Sequence, residues 1–226
     1  MDYISIISIT IILLFLRSVY LLVKRRNANI KYDKMFGIDT RGLRNWSKSK
    51  LYNRTESTPY LALRSLTEKY KMSPKDSLVD FGCGKGRVAI YLHDKYKIPV
   101  TGIELNNLTY NEAVKNVESY LNKHKMVNEG TLQIKQEYAE DYKIKENENK
   151  FFFFNPFHVS IFKKVVNNII KDAEENNKEV EIILYYPLNS YMKFLRKETP
   201  FQLVQRIRAS GSIGYREKFL IYKFTP

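Results

Sequence analysis

The stretch that decides the fold is VDFGCGKGRVAI, residues 79–90. Its three glycines, Gly82, Gly84 and Gly86, stand at alternate positions between an apolar run typical of a buried strand and an apolar run with helical spacing. Glycine adopts backbone conformations that other residues avoid, and it lets a ligand approach the main chain closely. In doubly wound α/β sheets, ligands bind where a strand passes through such a loop into a helix. The stretch therefore predicts a ligand-binding strand–loop–helix unit.

The spacing of the glycines argues against two common nucleotide motifs. In the dinucleotide fingerprint the third glycine comes three residues after the second, whereas Gly86 comes two residues after Gly84 and is followed by Arg87. A P-loop ends in Gly-Lys followed by Ser or Thr, and this loop has no such ending. The loop is therefore not expected to bind NAD or a nucleoside triphosphate.

The rest of the chain alternates strand-like and helix-like patterns. Strands are predicted at residues 78–81, 100–104, 132–136, 151–154, 181–185, 201–207 and 217–224. Helices are predicted from residue 58, from residue 86, from a capping box at 109–112, over 161–170 and over 187–196. Strands that alternate with helices indicate a three-layer α/β sandwich with a mainly parallel, seven-stranded sheet. The last two strands predict an antiparallel hairpin at the C-terminal edge of that sheet.

Residues 4–23 predict one transmembrane helix. Fourteen of these twenty residues are Ile, Leu, Val or Phe, and about twenty helical residues span a bilayer core of roughly 30 Å. Arg17 interrupts the apolar run, but its long side chain can reach the headgroups from the C-terminal third of the span. Lys24, Arg25 and Arg26 follow at once, so the positive-inside rule predicts a single-pass protein of the cell membrane with its remainder in the cytoplasm. A cleaved signal peptide and a helix lying on the membrane surface are the alternatives.

Composition and charge predict one folded domain with anionic partners. The chain has 226 residues, is 44% hydrophobic and carries a formal net charge of +14, which suits one buried core and a negatively charged partner surface. Residues 24–54 hold ten Lys or Arg against two Asp, so +8 of that charge lies beside the apolar stretch. We therefore expect a transmembrane helix at 1–23, a basic juxtamembrane linker at 24–57 that contacts anionic lipid or serves as a solvated tether, and a folded domain at 58–226.

The pattern Asp80-x-Gly82-x-Gly84-x-Gly86 resembles motif I of the class I S-adenosylmethionine-dependent methyltransferases. The second predicted strand ends in an acidic residue, the tripeptide Asn-Pro-Phe follows the fourth, and two late strands complete the chain, as in that family. The resemblance covers about residues 58–226. It implies a Rossmann-like fold, S-adenosylmethionine as cofactor and methyl transfer as the activity.

The resemblance also implies a set of cofactor-binding residues: Asp80, Gly82, Cys83, Gly84, Gly86, Glu104, Ala139, Glu140 and Tyr60. In the family, the first carboxylate accepts from the α-amino group of the cofactor, and the glycine loop lines its methionine part. A carboxylate at the position of Glu104 accepts hydrogen bonds from both ribose hydroxyls. Ala139 and Glu140 follow the third strand, where the family lines the adenine. Tyr60 lies in a segment that closes over the cofactor in many members, or it packs within its own helix.

The tripeptide Asn155-Pro156-Phe157 resembles the Asn/Asp-Pro-Pro-aromatic motif of amino-group methyltransferases. In that motif, side-chain and backbone carbonyl oxygens accept from the nitrogen that is methylated, and the aromatic ring packs on the substrate. The second proline is absent here. The competing interpretation is that Asn155 caps a helix that begins at Pro156, while Phe157 belongs to the core.

The sequence thus predicts a membrane-anchored methyltransferase with a nitrogen acceptor, most simply one carried by a protein. RNA and a lipid amine are the alternative acceptors, and a non-catalytic S-adenosylmethionine-binding module is the alternative outside the enzymes. The basic residues concentrate in the linker, which argues mildly against nucleic acid. Cys83 is the single cysteine, so no internal disulfide and no cysteine-based zinc cluster is possible. No His, Cys, Asp and Glu set has ligand spacing, so no metal is expected.

Overall fold

The computed structural model describes residues 3–45, 51–125, 131–212 and 214–226, apart from the side chains of residues 4–6. Its helices are α1 Tyr3–Phe36, α2 Tyr60–Lys69, α3 Arg87–Tyr96, α4 Asn107–Lys123, α5 Val159–Glu175 and α6 Asn189–Glu198. Its strands are β1 Leu78–Phe81, β2 Val100–Ile103, β3 Leu132–Lys135, β4 Lys150–Phe153, β5 Val180–Tyr185, β6 Gln202–Arg208 and β7 Lys218–Phe224.

The strands form one seven-stranded sheet in the order β3-β2-β1-β4-β5-β7-β6. The first five strands in sequence pair in parallel, whereas β7 pairs antiparallel with both β5 and β6. The predicted α/β class, the mainly parallel sheet and the antiparallel C-terminal hairpin are therefore confirmed. In this order β1 lies between β2 and β4, so the loops after these three strands meet at one edge of the sheet.

Two apolar cores cover the two faces of the sheet, as a three-layer sandwich requires. Strand β4 contributes to both, because Phe152 faces one core whereas Phe151 and Phe153 face the other. All three rings are fully buried. The run of phenylalanines is therefore explained by a central parallel strand that buries both of its faces.

Helix α4 begins earlier than the sequence predicts. The capping box expected at Thr109 and Glu112 is wrong, because Asn106 is the N-cap and its side chain accepts a hydrogen bond from the Thr109 amide at 3.0 Å. Glu112 instead pairs with Arg44 at 2.9 Å. The carboxylate of Glu112, which suggested the capping box, therefore forms an ion pair with a residue far away in the sequence. No local pattern of residues reveals such a pair.

Helix α1 is continuous far beyond the apolar stretch, and its last turns belong to the folded core. Asp33 is 3% exposed. Its carboxylate accepts from the Thr40 amide at 3.0 Å, from the Thr40 hydroxyl at 2.8 Å and from the Tyr60 hydroxyl at 2.7 Å. Arg87 approaches the same carboxylate at 3.6 Å. The interpretation of residues 24–57 as a linker or solvated tether is therefore corrected for the part that the structure describes, because buried polar contacts fasten this segment to the domain.

Residues Ile7–Phe36 form a helix that is long and apolar enough to cross a membrane. Its most apolar window has a mean hydropathy of 2.0, and none of that window is buried within the protein. Length and composition alone support this, and a signal sequence near an N-terminus passes the same test.

Candidate functional site

The glycine loop after β1 lies at the carboxyl edge of the sheet. Gly82, Gly84 and Gly86 have φ values of +72°, +56° and +84°, in the left-handed region that favours glycine. The amides of Gly82 and Cys83 donate to the carbonyl of Ile103 at 2.8 and 3.0 Å, which holds the loop against the end of β2. The loop therefore presents bare main chain where β1 and β2 end.

Two of these glycines are closely approached by other segments. A Cβ atom on Gly82 would overlap the ring of Pro156, and one on Gly84 would lie 2.9 Å from the Thr55 methyl group. Any side chain at these positions would fill the space above the loop. The close packing of Pro156 and Thr55 on this loop thus requires that Gly82 and Gly84 have no side chains.

Asp80 lies at the base of this loop and is 2% exposed. Its Oδ2 atom has no hydrogen-bond partner in the part of the chain that the structure describes. Burial, followed by the nearby charge of Glu104, raises the pKa of Asp80 to about 8. A buried carboxyl group without a partner is costly. It is typical of a group that receives a ligand.

Glu104 follows β2 and turns back toward the loop. Its two oxygens accept from the Gly84 amide at 3.0 Å and from the Asn106 amide at 2.8 Å. Burial raises the pKa of Glu104 to about 7, against the opposing effect of these amides. Neither Glu104 nor Asp80 forms an ion pair within the described ranges. The two carboxyl groups therefore make the crevice attractive to a cationic ligand with hydroxyl groups.

A small cavity of about 50 Å³ lies between the glycine loop, the end of β2 and the segment at residues 51–57, which we call the strap. It is lined by Tyr52, Asn53, Arg54, Thr55, Glu56, Gly82, Ile103, Glu104, Leu105, Glu137, Ala139, Phe154, Pro156 and Phe157. Pockets for ligands of drug size measure roughly 300–1,000 Å³. The strap therefore fills most of the crevice in this conformation.

The strap is held by hydrogen bonds to the Asn-Pro-Phe segment. Asn53 donates from its amide nitrogen to the Pro156 carbonyl at 3.0 Å, and from its side chain to the Asn155 carbonyl at 2.7 Å. The carbonyl of Leu51 accepts from the His158 amide at 2.7 Å. Two N–H groups of Asn53 thus donate hydrogen bonds to the successive carbonyls of Asn155 and Pro156.

Asn155 does not cap a helix. Helix α5 begins at Val159, and its N-cap is His158, whose side chain accepts from the Ser160 amide. Asn155 instead has a φ of +44° and donates from its side chain to the Tyr186 carbonyl at 2.7 Å. The capping part of the competing interpretation is therefore wrong, because a loop separates the motif from the helix, whereas its placement of Phe157 in the core is confirmed, since Phe157 is 1% exposed and packs in one of the two apolar cores.

A second cavity of about 540 Å³ lies on the other side of the strap. It is lined by Arg25, Asn53, Arg54, Glu56, Phe154, Asn155, Tyr185, Tyr186, Leu188 and Glu217. Asn53, Arg54, Glu56 and Phe154 line both cavities and form the wall between them. The Asn-Pro-Phe motif contributes to each, with Pro156 and Phe157 at the first cavity and Asn155 at the second.

The structure brings together only part of the predicted set. Gly82, Glu104, Ala139, Pro156 and Phe157 line the first cavity. The methyl group of Thr55 covers Gly84, and Asp80 lies below the loop. Gly86 lies at the start of α3, as its N-cap.

Three predicted cofactor residues do not reach the cavity. Tyr60 is fully buried against Asp33 and α1, so it belongs to the core. Glu140 points toward the Tyr52 hydroxyl at 3.4 Å, outside the cavity lining, and Glu137 lines the cavity instead. Cys83 packs over Gly102, and burial raises the pKa of its thiol, so it is an inert loop residue.

The strap is the part of the site that sequence reasoning missed. Its residues form no motif, and they reach the crevice through pairing with segments about 100 positions away, such as Asn53 with Asn155. Arg87, which follows the glycine loop, is 3% exposed and donates to Thr40 and Thr58, so it belongs to the buried contacts of this segment. No cluster of His, Cys, Asp and Glu able to hold a metal occurs among the described residues.

Comparison with known proteins places the fold. No protein-family model matches the sequence, and no curated protein matches it significantly. Among solved structures, similar ones include a precorrin-6y C5,15-methyltransferase from Geobacter metallireducens GS-15, with 10% identity, a TM-score of 0.53, and coverage of 81% of this chain and 93% of that one. A human methyltransferase 10 domain containing protein has 12% identity, a TM-score of 0.52, and coverage of 91% and 97%.

A third similar structure is an RNA methyltransferase from Salinibacter ruber in complex with S-adenosyl-L-homocysteine. It has 16% identity and a TM-score of 0.50, with coverage of 76% of this chain and 93% of that one. At these identities the likeness concerns the fold. The strand order, the glycine loop after β1 and these neighbours together give the chain the Rossmann-like fold of the class I S-adenosylmethionine-dependent methyltransferases.

Proposed function

We propose that this protein is a methyltransferase that uses S-adenosylmethionine. The observation that carries the proposal is the pair of buried carboxyl groups, Asp80 and Glu104, at the glycine loop where β1 and β2 end. The cofactor has an ammonium group, a sulfonium and a ribose with two adjacent hydroxyls, which match a carboxylate at each end of a bare main-chain loop. The fold neighbours, among them one in complex with S-adenosyl-L-homocysteine, support the same assignment.

The residues of the crevice fit this cofactor in kind. The unpartnered Oδ2 atom of Asp80 would receive the α-amino group, and Glu104 would exchange its loop amides for the ribose hydroxyls. Ala139 and Phe157 offer apolar walls for the adenine. The cavity of about 50 Å³ is too small for a nucleoside, so the strap has to move before the cofactor enters.

The chemistry that the cofactor supplies is a methyl group on a positively charged sulfur, which is already a good leaving group. The chain therefore needs mainly to hold, align and shield the two reactants. Such positioning lowers a barrier by roughly 7–11 kcal/mol. The wall shared by the two cavities is where a methyl group would pass from the first cavity to an acceptor in the second.

We propose a nitrogen as the acceptor atom, because the Asn-Pro-Phe carbonyls already accept N–H groups. The carbonyls of Asn155 and Pro156 accept from the side chain and backbone of Asn53. An acceptor amine that replaced these donors would leave its lone pair free for the methyl group. From sequence the carrier of this nitrogen is expected to be a protein, with RNA and a lipid amine as alternatives.

We further propose that α1 anchors the protein in the cell membrane with its catalytic domain in the cytoplasm. The unburied apolar stretch and the following Lys24, Arg25 and Arg26 support this orientation. The catalytic unit begins inside α1 rather than at residue 58, because Asp33 and Phe36 are buried in the domain. Extraction of membranes with alkaline carbonate should leave the chain in the pellet; release into the supernatant would contradict an integral anchor.

Two substitutions test the cofactor site and the acceptor motif separately. Glu104→Ala is expected to weaken S-adenosylmethionine binding about 10- to 100-fold, because a charge-assisted contact is lost. Asn155→Ala is expected to leave that affinity within about twofold, because Asn155 lines the second cavity rather than the first. It is expected to abolish methyl transfer, because the side-chain carbonyl of Asn155 is lost as an acceptor for the substrate nitrogen while the main-chain carbonyls remain. Calorimetry on the full chain in detergent, with NAD as the negative ligand, measures the affinity, and tritium transfer measures turnover.

The matched control is Glu68→Ala, which removes an exposed carboxylate on α2 whose ion-pair partner among the described residues is Arg64. This variant should bind the cofactor as the wild type does. If Glu104→Ala also binds it normally, the carboxylate does not hold the ribose and the proposed site is wrong. If Asn155→Ala retains full turnover, the side chain of Asn155 does not hold the acceptor.

A further inference from the structure

The second cavity contains a buried hydroxyl group without a partner. Tyr185 is 1% exposed, lines this cavity, and its hydroxyl has no hydrogen-bond partner in the described part of the chain. A buried tyrosine hydroxyl usually finds a partner within the protein. Because leaving it unpaired costs stability, the orphan hydroxyl indicates a polar ligand in this cavity.

The charges around the same cavity alternate in sign. Arg25 pairs with Glu217 at 3.3 Å and lies 3.9 Å from Glu56, which also pairs with Arg54 at 3.3 Å. These paired charges are complementary to a zwitterionic ligand. Its cation can pair with the carboxylates and its anion with the arginines, so that no charge is left unpaired. An ammonium group suits Glu217, Glu56 and the aromatic rings of the lining, whereas a phosphate suits the two arginines.

Helix α1 also fixes the position of the second cavity along the helix axis relative to the apolar stretch. Arg25 lies two residues after residue 23, where that stretch ends. At about 1.5 Å per residue, this is roughly 3 Å along the helix axis. Farther along the same helix, Asn29 accepts from the Tyr60 amide at 3.2 Å and Asp33 is buried in the domain. The helix that would enter the bilayer therefore carries the cavity rigidly at the level of the lipid headgroups.

A neighbouring groove continues the cavity along α1. It measures about 650 Å³, shares Arg25 and Glu56 with the cavity, and adds Leu22, Ile30 and Arg26 from the helix. Apolar and basic side chains of α1 thus line a groove that shares Arg25 and Glu56 with the cavity that Asn155 lines. This arrangement suits an amphiphile whose phosphate meets arginine and whose polar end enters the second cavity.

We propose that the second cavity binds the aminophosphate headgroup of a membrane phospholipid and presents its primary amine to Asn155 as the methyl acceptor. This inference rests on the proposed methyltransferase function and names its substrate class. The ammonium first gives one proton to water. Its nitrogen lone pair then forms the N–C bond while the S–C bond breaks and leaves its electrons on sulfur. The products are a methylammonium, a neutral thioether and the released proton, so charge and atoms balance.

The first experiment separates the lipid from other sources of the same chemistry. Full-length protein is incubated with methyl-tritiated S-adenosylmethionine and vesicles of phosphatidylcholine, with or without phosphatidylethanolamine, or with free phosphoethanolamine. Label is expected in the lipid extract only with phosphatidylethanolamine, and at least tenfold less is expected in free phosphoethanolamine. Label in phosphoethanolamine at equal efficiency, or label only in a protein or RNA fraction, would overturn the proposal.

The second experiment uses the orphan hydroxyl. Tyr185→Phe is expected to raise the KM for phosphatidylethanolamine about tenfold, because one hydrogen bond to a charged group is lost. Its melting temperature is expected to equal or exceed that of the wild type, since the hydroxyl has no partner to lose among the residues that the structure describes. Tyr142→Phe is the matched control, because its buried hydroxyl donates to Glu148 at 2.6 Å. It should melt lower and use the lipid normally.

Two further readouts keep this inference distinct from the proposed function. Calorimetry with S-adenosylmethionine reports on the first cavity and should be unchanged in Tyr185→Phe. A melting-temperature shift by short-chain phosphatidylethanolamine reports on the second cavity without turnover. If cofactor binding occurs but the lipid causes no shift and accepts no label, the headgroup proposal fails while the methyltransferase proposal stands. If the lipid binds but the cofactor does not, the methyltransferase proposal fails together with the role of the amine as methyl acceptor, and only headgroup binding in the second cavity stands. A Tyr185→Phe variant that melts lower and keeps its KM would show that the hydroxyl is structural.

Discussion

Replacing Asp80 with asparagine is expected to stabilise the ligand-free protein and to weaken S-adenosylmethionine binding about 10- to 100-fold. The carboxyl group is buried and its Oδ2 atom has no partner among the described residues, so at a pH above its raised pKa the neutral amide removes a charge that the ligand-free crevice does not compensate. The same change removes the proposed acceptor of the cofactor's ammonium group. Thermal melting and calorimetry on the same preparations measure the two opposite effects.

The stabilisation should depend on pH in a defined direction. Because burial raises the folded-state pKa of Asp80 from 3.8 to about 8, the folded state holds this proton more tightly than the unfolded state. Between these values the free energy of unfolding falls as pH rises, and the loss is complete above about pH 8. The advantage of Asp80→Asn should therefore be small near pH 4 and reach a few kcal/mol, in order of magnitude, at pH 9.

An exposed carboxylate provides the control for this experiment. Asp141→Asn alters an exposed side chain and should change neither the slope of stability with pH nor the affinity for the cofactor. An Asp80→Asn variant that is less stable than the wild type at pH 9 would mean that Asp80 has a stabilising partner, and the crevice would then lack its orphan charge. Unchanged cofactor affinity would remove Asp80 from the binding site.

The second large effect is expected for Gly82→Ala. The residue has a φ of +72°, and a Cβ there overlaps the Pro156 ring. The left-handed conformation costs an alanine roughly 1–2 kcal/mol, and forcing the loop and Pro156 apart adds about 1–3 kcal/mol. We therefore expect a loss of about 2–5 kcal/mol in the free energy of unfolding, together with loss of cofactor binding. Urea denaturation and calorimetry measure these quantities.

Gly42→Ala is the control that separates the cost of the left-handed backbone conformation from the cost of steric overlap with Pro156. Gly42 has a φ of +88°, but none of the described residues lies within 4 Å of the position of its Cβ. Its alanine variant should lose only the backbone cost of about 1–2 kcal/mol and keep its affinity for the cofactor. Equal losses in the two variants would show that Pro156 gives way freely, and that its close packing on Gly82 does not shape the site.

Much of the fold could be predicted because each pattern involved is local. The glycines after residue 81, the apolar stretch of β4 and the 3.6-residue period of α5 depend on residues close together in sequence. Strand β1 lies where the alternation of apolar residues and turns predicts it, at Leu78–Phe81. Parallel strands that alternate with helices have few possible arrangements, so the order of these elements led to the sheet class.

The sequence also predicted the residue types of the crevice, but not which of them reach it. Asp80, Gly82 and Glu104 could be named because they lie in or directly after strands whose ends share one edge of the sheet. Tyr60 was expected at the crevice and lies in the core, because its hydroxyl donates to Asp33 on a helix that sequence analysis ended ten residues earlier. Glu140 was expected at the adenine, whereas the chain turns so that Glu137 lines the cavity.

The amino-acid sequence by itself determined the alternation of strands and helices, the glycine loop and the apolar N-terminal stretch, because neighbouring residues set these features. Only the tertiary structure decided that the strap covers the crevice through Asn53, that α1 runs rigidly into the domain through Asp33, and that Tyr185 and Arg25 share one cavity. Each of these contacts joins residues far apart in the chain. Their partners are selected by the packing of the whole fold, which no local pattern of residues encodes.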